Sequence, residues 1–239
     1  MKTVFHENSS RGLADHGWLV SRHTFSFAGY HDAGRMNFGL LRVINDDRVA
    51  PSMGFGTHPH ENMEIISIPL AGALRHKDSM DNSHVIAAGE VQIMSAGTGI
   101  THSEFNNSDE RDVEFLQIWV LPKERDIKPR YSQQAFEASE RKDRLQLVVS
   151  PNVSDEVVLI NQDVWFSLTD LTAGAELSYK KYIEDNGVYF FVIAGEGDID
   201  NHPLRRRDGL GLVEGDHFLI NAKMDLQLLV MEIPMGSAE

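Results

Sequence analysis

The chain contains no cysteine. Disulfides, thiolate zinc, iron–sulfur clusters and cysteine nucleophiles are therefore excluded, and any bound metal must take nitrogen from histidine and oxygen from carboxylates. Positive charge is scarce as well: 22 Lys and Arg face 36 Asp and Glu, a net charge of −14 over 239 residues. Such a surface repels phosphate backbones, so no direct nucleic-acid contact is expected. No segment approaches the roughly 18 apolar residues of a membrane span. The start, Met1-Lys2-Thr3-Val4-Phe5-His6-Glu7, lacks the apolar stretch of a secretion signal. The expected location is the cytoplasm, with no membrane contact.

What the sequence does have is short apolar runs rich in β-branched and aromatic residues. They cover Phe38 to Ile44, Met63 to Leu70, Val91 to Met94, Phe115 to Leu121, Leu145 to Val149, Tyr189 to Ile193 and Leu226 to Ile233. Their strand length, with Gly, Asn, Asp or Pro clusters between them, predicts an all-β protein. The best stretch of helical periodicity, about Ser132 to Lys142, is short and charged, which leaves helix and non-helix equally open there. The segment 122–144 breaks the strand rhythm and carries seven of the 22 basic residues, so it is expected to connect two halves. The expected division is a first unit over 1–121, a connection over 122–144 and a second unit over 145–239. Both halves show an apolar strand, a glycine turn and a second glycine turn, a faint internal similarity.

Chemistry concentrates in Gly54-Phe-Gly-Thr-His58-Pro-His60-Glu-Asn-Met-Glu64 and Gly97-Thr-Gly-Ile-Thr-His102-Ser-Glu104. His58 with His60, and His102 with Glu104, are each spaced i, i+2. On an extended strand that spacing puts both side chains on one face, ~6.6 Å apart, so two neighbouring strands can aim four ligands at one point. Three neutral imidazoles and a carboxylate suit one borderline divalent ion. Four protein ligands on an octahedral ion leave two positions open for chemistry. Eleven histidines produce one i, i+2 pair by chance; the second ligand-type pair, after an apolar hairpin, is what lifts the reading above chance. His16, His23, His31, His76, His84, His202 and His217 are expected at the surface or hydrogen-bonded in the core.

These residues carry a family resemblance. Gly54, His58, Pro59, His60, Glu64 and Gly72, then Gly89, Gly97, His102 and Asn106, resemble the two cupin motifs. Within that superfamily, His23-Thr-Phe-Ser-Phe27, Asn45-Asp46-Asp47, Phe55-Gly-Thr-His-Pro-His60, Met94-Ser-Ala-Gly-Thr-Gly-Ile100, His102-Ser-Glu104 and Gln117-Ile-Trp-Val120 look like the pirin family. The resemblance spans about residues 11–233 and implies a bicupin, two facing antiparallel β-barrels of jelly-roll type in one chain. Ser95 in place of the usual Pro, and four residues between Gly97 and His102, depart from the general cupin pattern and are similar to pirin features. The general cupin motif points to Glu64 as the fourth ligand and the pirin motif to Glu104. Glu64 lies ~13 Å past His60 on a straight strand, whereas Glu104 is two residues from His102. Glu104 is therefore chosen, and Glu64 is read as a supporting carboxylate.

The second half has neither His-x-His nor His-x-Glu, and Tyr189, Phe190, Phe191 and Val192 stand where ligands would be needed. It is expected to form a metal-free barrel that packs on the first and closes the pocket, leaving one metal per chain. Fe(II) is the expected ion, with Ni, Co, Mn, Cu and Zn open. Gly97-Thr98-Gly99 lacks a following Lys and precedes a strand, so it reads as a turn rather than a phosphate loop. Trp18 and Phe25-Ser26-Phe27 read as core or interdomain packing, with lining of the cavity as the alternative, and Arg205-Arg206-Arg207 as a solvated turn, with contact to an acidic partner as the alternative.

The resemblance further implies activity of the quercetin 2,3-dioxygenase type, on a small aromatic flavonol with O2. His58, His60, His102 and Glu104 would hold the ion, and Glu104, on detaching, would be the base for the substrate hydroxyl. The alternative is a metal-binding regulatory protein that acts through a protein partner without turnover of its own.

Overall fold

The structure, a computed structural model, describes residues 3–153 and 156–236. Strands and their turns account for nearly all of it, and the helical elements among the described residues are the 3-10 turns Asn8–Ser10 and Ala138–Arg141. No helix is long and apolar enough to cross a membrane.

Two seven-stranded sheets, each completed by a four-stranded sheet, build two barrels. In the first, the large sheet runs in the order Arg130–Ala135, Glu90–Ser95, Glu64–Ala71, Val113–Val120, Leu41–Val49, Leu19–His23 and Gly12–Asp15. Its small sheet runs Gly54–His60, Ile100–Asn106, Ala73–Asp78 and Ser83–Ala87. The second barrel has a large sheet centred on Asn186–Ala194 and Leu226–Pro234, and its small sheet contains His217–Ala222.

The sheets divide the chain differently from cuts at residues 121 and 145. Thr3–His6 pairs with Gly209–Leu212 in the second barrel, and Arg130–Ala135 pairs with Glu90–Ser95 in the first. The stretch weighed as a helix, about 132–142, is thus half edge strand and half a single 3-10 turn. The strand consumes the residues a helix would need, and the charged remainder is too short to sustain an α-helical nucleus.

Alternation along the strands explains how the barrels join. Ile44, Ile66, Ile68, Leu116 and Ile118 leave one face of the first large sheet and meet Tyr189, Phe191, Leu229, Met231 and Ile233 in a single cluster. Each such side chain contributes roughly 1.5–3 kcal/mol when fully buried, so this shared core is the principal tie between barrels. The second barrel fills its interior with Val188, Phe190, Val192, Phe218, Ile220, Leu228 and Val230. Its central strands are buried on both faces, which is why they read as unbroken apolar runs.

The first barrel does the opposite. His23 stands opposite Asn45, Asn45 opposite Gln117, Gln117 opposite Ser67, and Ser67 opposite Gln92. This row of polar residues crosses five strands on the face away from the shared core. Apolar clusters around Phe115 and Leu74, and around Ile65 and Met94, lie beside it.

Arg207 is not part of a solvated turn. It is 5% exposed, its Nε lies 3.2 Å from Asp46 Oδ2, and its Nη1 donates to Ile193 O at 2.8 Å. The second barrel thereby grips a carboxylate of the first.

Candidate metal centre

The Gly54–His60 and Ile100–Asn106 strands are antiparallel neighbours in the small sheet, and their register sets His58 directly opposite His102. Two residues, Gly56 and Thr57, then span the stretch that Ser103 spans alone. Such a bulge re-aims the side chains beside it, and here it also presents the Gly56 carbonyl to His58. His58 Nδ1 donates to that oxygen at 2.8 Å, which leaves the lone pair on Nε2. His58 Nε2 and His102 Nε2 are 3.1 Å apart.

One ligand atom from each of His58, His60 and His102 falls in a group whose members are all within 4.8 Å of one another. Burial, then the neighbouring His102 and His58, hold His60 down at about 4. Burial, then His58 and His76, hold His102 down at about 3. Both rings are therefore neutral at physiological pH, the form in which an imidazole binds a metal.

Glu104 is 1% exposed, and each of its oxygens is held. Ser67 Oγ donates to Oε1 at 3.1 Å and Gln117 Nε2 to Oε2 at 2.7 Å. Trp119 Nε1 donates to Gln117 Oε1 at 3.2 Å, so the amide cannot turn over without losing a bond. A partnered carboxylate beside convergent neutral imidazoles is a donor set that fits a borderline divalent cation.

Glu104 belongs to a second group at the same spacing, with His102 and His76. His76 is fully buried, opposes Glu104 in the sheet, and its Nε2 lies 3.1 Å from Asp78 Oδ2. In that bond His76 Nε2 is the donor to the carboxylate. His76 Nδ1 and His102 Nδ1 are both buried without a hydrogen-bonding partner among the described residues. The signal for His76 was present in the sequence: His76-Lys77-Asp78 is itself an i, i+2 pair of ligand type.

Glu64 faces the other way. Its Oε2 accepts from Ser95 Oγ at 2.8 Å and from the backbone N of Asn161 at 3.1 Å, so it supports the junction with the second half.

The centre opens into a cavity of about 550 Å³ inside the first barrel. His58, His60 and Glu104 line it together with Trp18, Phe27, Phe55 and Trp119. Trp119 stands edge-on to His60 at 5.0 Å and to Phe27 at 5.3 Å. Trp18 and Phe27 are thus cavity walls rather than packing alone, while Phe25 lies in the interdomain core. Every lining residue falls between Ala14 and Trp119. The expectation that the second barrel closes the pocket is corrected: its apolar face is spent on the outer side of the first large sheet.

Comparison with known proteins follows the same lines. The family model described as Pirin matches residues 5–120, and the model described as Quercetinase C-terminal cupin domain matches residues 147–233. A quercetin 2,3-dioxygenase of Escherichia coli (strain K12) is 42% identical over 230 residues, covering 95% of this chain and 96% of the relative. A pirin-like protein of Caulobacter vibrioides is 37% identical, covering 92% and 95%. The crystal structure of the bacterial pirin YhhW from Escherichia coli in complex with nickel(II) superposes with a TM-score of 0.92 at 39% identity, covering 98% of this chain and 99% of that one. The chain belongs to the pirin family of bicupins.

Proposed function

We propose that this protein is a metal-dependent dioxygenase that cleaves a flavonol such as quercetin with O2, using one divalent transition ion per chain held by His58, His60, His102 and Glu104. The observation that carries the reading is the opening of this donor set into an aromatic-walled cavity of about 550 Å³, within the roughly 300–1,000 Å³ typical of pockets that enclose small molecules. The similarity to a protein named quercetin 2,3-dioxygenase supports the substrate class. The nickel(II) complex of YhhW supports a transition metal and sets nickel beside Fe(II) as the ion to test first.

When bound, the ion supplies Lewis acidity at the substrate 3-hydroxyl. The chain's own residues do the rest. Trp119, Phe27 and Phe55 sandwich the flat ring system and keep water from it. Glu104 is the proton acceptor for the hydroxyl, and Ser67 and Gln117 hold its oxygens in place. Among the described residues, the groups of His, Asp and Glu close enough together to hold an ion lie in the first barrel, which supports a single site per chain.

Protein reconstituted separately with Fe(II), Ni, Co, Mn, Cu and Zn, then given quercetin in air, tests the proposal. The expected result is loss of flavonol absorbance with equal uptake of O2 and release of CO, abolished in His58→Ala while the fold survives. A folded, metal-loaded protein that is inert with all six ions overturns it.

A further inference from the structure

The cavity wall formed by Leu19–His23 and Leu41–Val49 carries a carboxyl group that the metal centre does not use. Asp47 stands opposite Ser21 across these strands, lines the cavity and is 3% exposed. Its Oδ1 has no hydrogen-bonding partner among the described residues. The Ser21 hydroxyl hydrogen-bonds the carboxyl, and the other neighbouring polar groups are engaged elsewhere: His23 Nδ1 meets Asn45 Oδ1 at 2.8 Å, and Arg11 and Arg207 both pair with Asp46. Asp46 leaves the opposite face of the strand, so neither cation reaches into the cavity through it.

A buried carboxyl with one oxygen unpartnered weakens a fold, and an apolar side chain of the same size would pack here without that cost. Stability therefore does not account for Asp47. Ligand binding does, because an oxygen in the cavity would complete its hydrogen bonding. Resting on the reading of this cavity as the flavonol pocket, we propose that the Asp47 carboxyl is a specificity-determining contact that donates a hydrogen bond to an oxygen of the aromatic substrate. It acts from the large sheet, whereas His58 and His60 stand on the small one.

The donor role follows from its surroundings. Burial pushes the Asp47 carboxyl up to about 7, the Ser21 hydroxyl opposes this, and the charges of Asp46 and Glu104 add to it. Burial favours the neutral form of this carboxyl, and a protonated carboxyl donates where a carboxylate only accepts. The selected ligand is an aromatic molecule with a carbonyl or phenolate oxygen in addition to the hydroxyl that Glu104 serves. A ring that is apolar at that place leaves Asp47 unsatisfied and binds less well.

The test is equilibrium binding of quercetin, and of flavonols each lacking one oxygen, to metal-loaded protein under nitrogen, where no turnover occurs. Asp47→Leu and Asp47→Ala are expected to weaken quercetin binding about three- to tenfold, the worth of one hydrogen bond. For the single analogue that lacks the contacted oxygen, the loss should vanish. Asp47→Asn, which keeps a neutral donor in place, should restore most of the affinity, and Asp47→Leu should melt no lower than wild type. Equal weakening of every analogue, or Asp47→Asn behaving as Asp47→Leu does, overturns the contact. Wild-type protein that binds quercetin with Asp47→Leu unaffected also overturns the contact alone. Wild-type protein that binds no flavonol overturns the flavonol reading, and this proposal with it.

Discussion

Gln117 Nε2 donates to Glu104 Oε2 at 2.7 Å across the interior of the first barrel. The bond joins the large sheet to the small one at the level of the three histidines. It fixes where the Glu104 carboxylate can point, since Ser67 holds only the other oxygen.

Loosening that carboxylate should loosen the metal. Gln117→Leu keeps the volume and removes the donor, and loss of such a supporting hydrogen bond typically costs 10–100-fold in metal affinity. Competition against a chelator, read by metal content after dialysis, measures the loss. Retention equal to wild type would show that Ser67 alone suffices to orient Glu104.

How much of this was legible beforehand depends on what a local pattern can encode. The strands were legible because β-branched and aromatic runs such as Tyr189 to Ile193 end at turn residues. The convergence of His58, His60 and His102 was legible because period-two spacing survives folding, while Glu104 falls in a second group with His102 and His76. The polar row of His23, Asn45, Gln117, Ser67 and Gln92 was not, since each is a single polar residue in its strand and only register sets them side by side. Without that row the cavity could not be placed inside the first barrel, and Trp18 and Phe27 could not be told from core. Arg207 was hidden by its two neighbours: three consecutive arginines look solvated, while Arg205 is exposed and Arg207 is buried.

The two candidate carboxylates should separate cleanly. Glu104→Gln keeps the shape and removes the charge beside His102, and is expected to lower metal retention at least about tenfold. Glu64→Gln removes a carboxyl that burial already pushes up toward its neutral form, on the face turned to Asn161. Its metal content should match wild type, with a stability change of about 1 kcal/mol or less. A site emptied by Glu64→Gln instead would assign the anionic ligand to the wrong strand.

His6 makes the joint between barrels sensitive to acid. Its Nδ1 lies 2.7 Å from the Tyr189 hydroxyl, and its ring stands edge-on to Phe25. Burial, then Arg35 and Arg11, lower it from 6.5 to about 4, with Asp32 opposing weakly. Between those values the unfolded chain takes up a proton at His6 that the folded chain refuses. Its contribution is therefore complete above pH 6.5 and is lost as pH falls toward 4, by about 2–3 kcal/mol at pH 4.5. Urea unfolding of wild type and His6→Gln at pH 7.5 and pH 4.5 isolates this from the other histidines. The advantage of wild type should shrink by that amount at the lower pH, and an unchanged difference would show that His6 does not carry it.

Arg207 should matter to the joint between barrels and not to the metal. It shares Asp46 Oδ2 with Arg11, at 3.2 and 3.1 Å, and its Nη2 lies 3.7 Å from Glu114. Breaking a fully buried ion pair costs about 3–5 kcal/mol when no other partner remains, and Asp46 is only partly buried. Arg11 remains here, so about 2–3 kcal/mol is expected for Arg207→Ala. The backbone at this residue has φ of 69°, a conformation that glycine adopts freely and other residues adopt at a cost of roughly 1–2 kcal/mol. Arg207→Gly loses the same ion pairs but relieves that cost, so it should be at least as stable as Arg207→Ala, the reverse of the usual order. Because Arg207 is buried and Asp46 mostly covered, 0.5 M salt should leave the loss largely intact. Metal content should stay at the wild-type level in both variants, since every residue of the donor set is anchored within the first barrel. A loss that disappears in salt would place Arg207 among ordinary surface charges, and a loss of metal would mean that the second barrel holds the centre in shape after all.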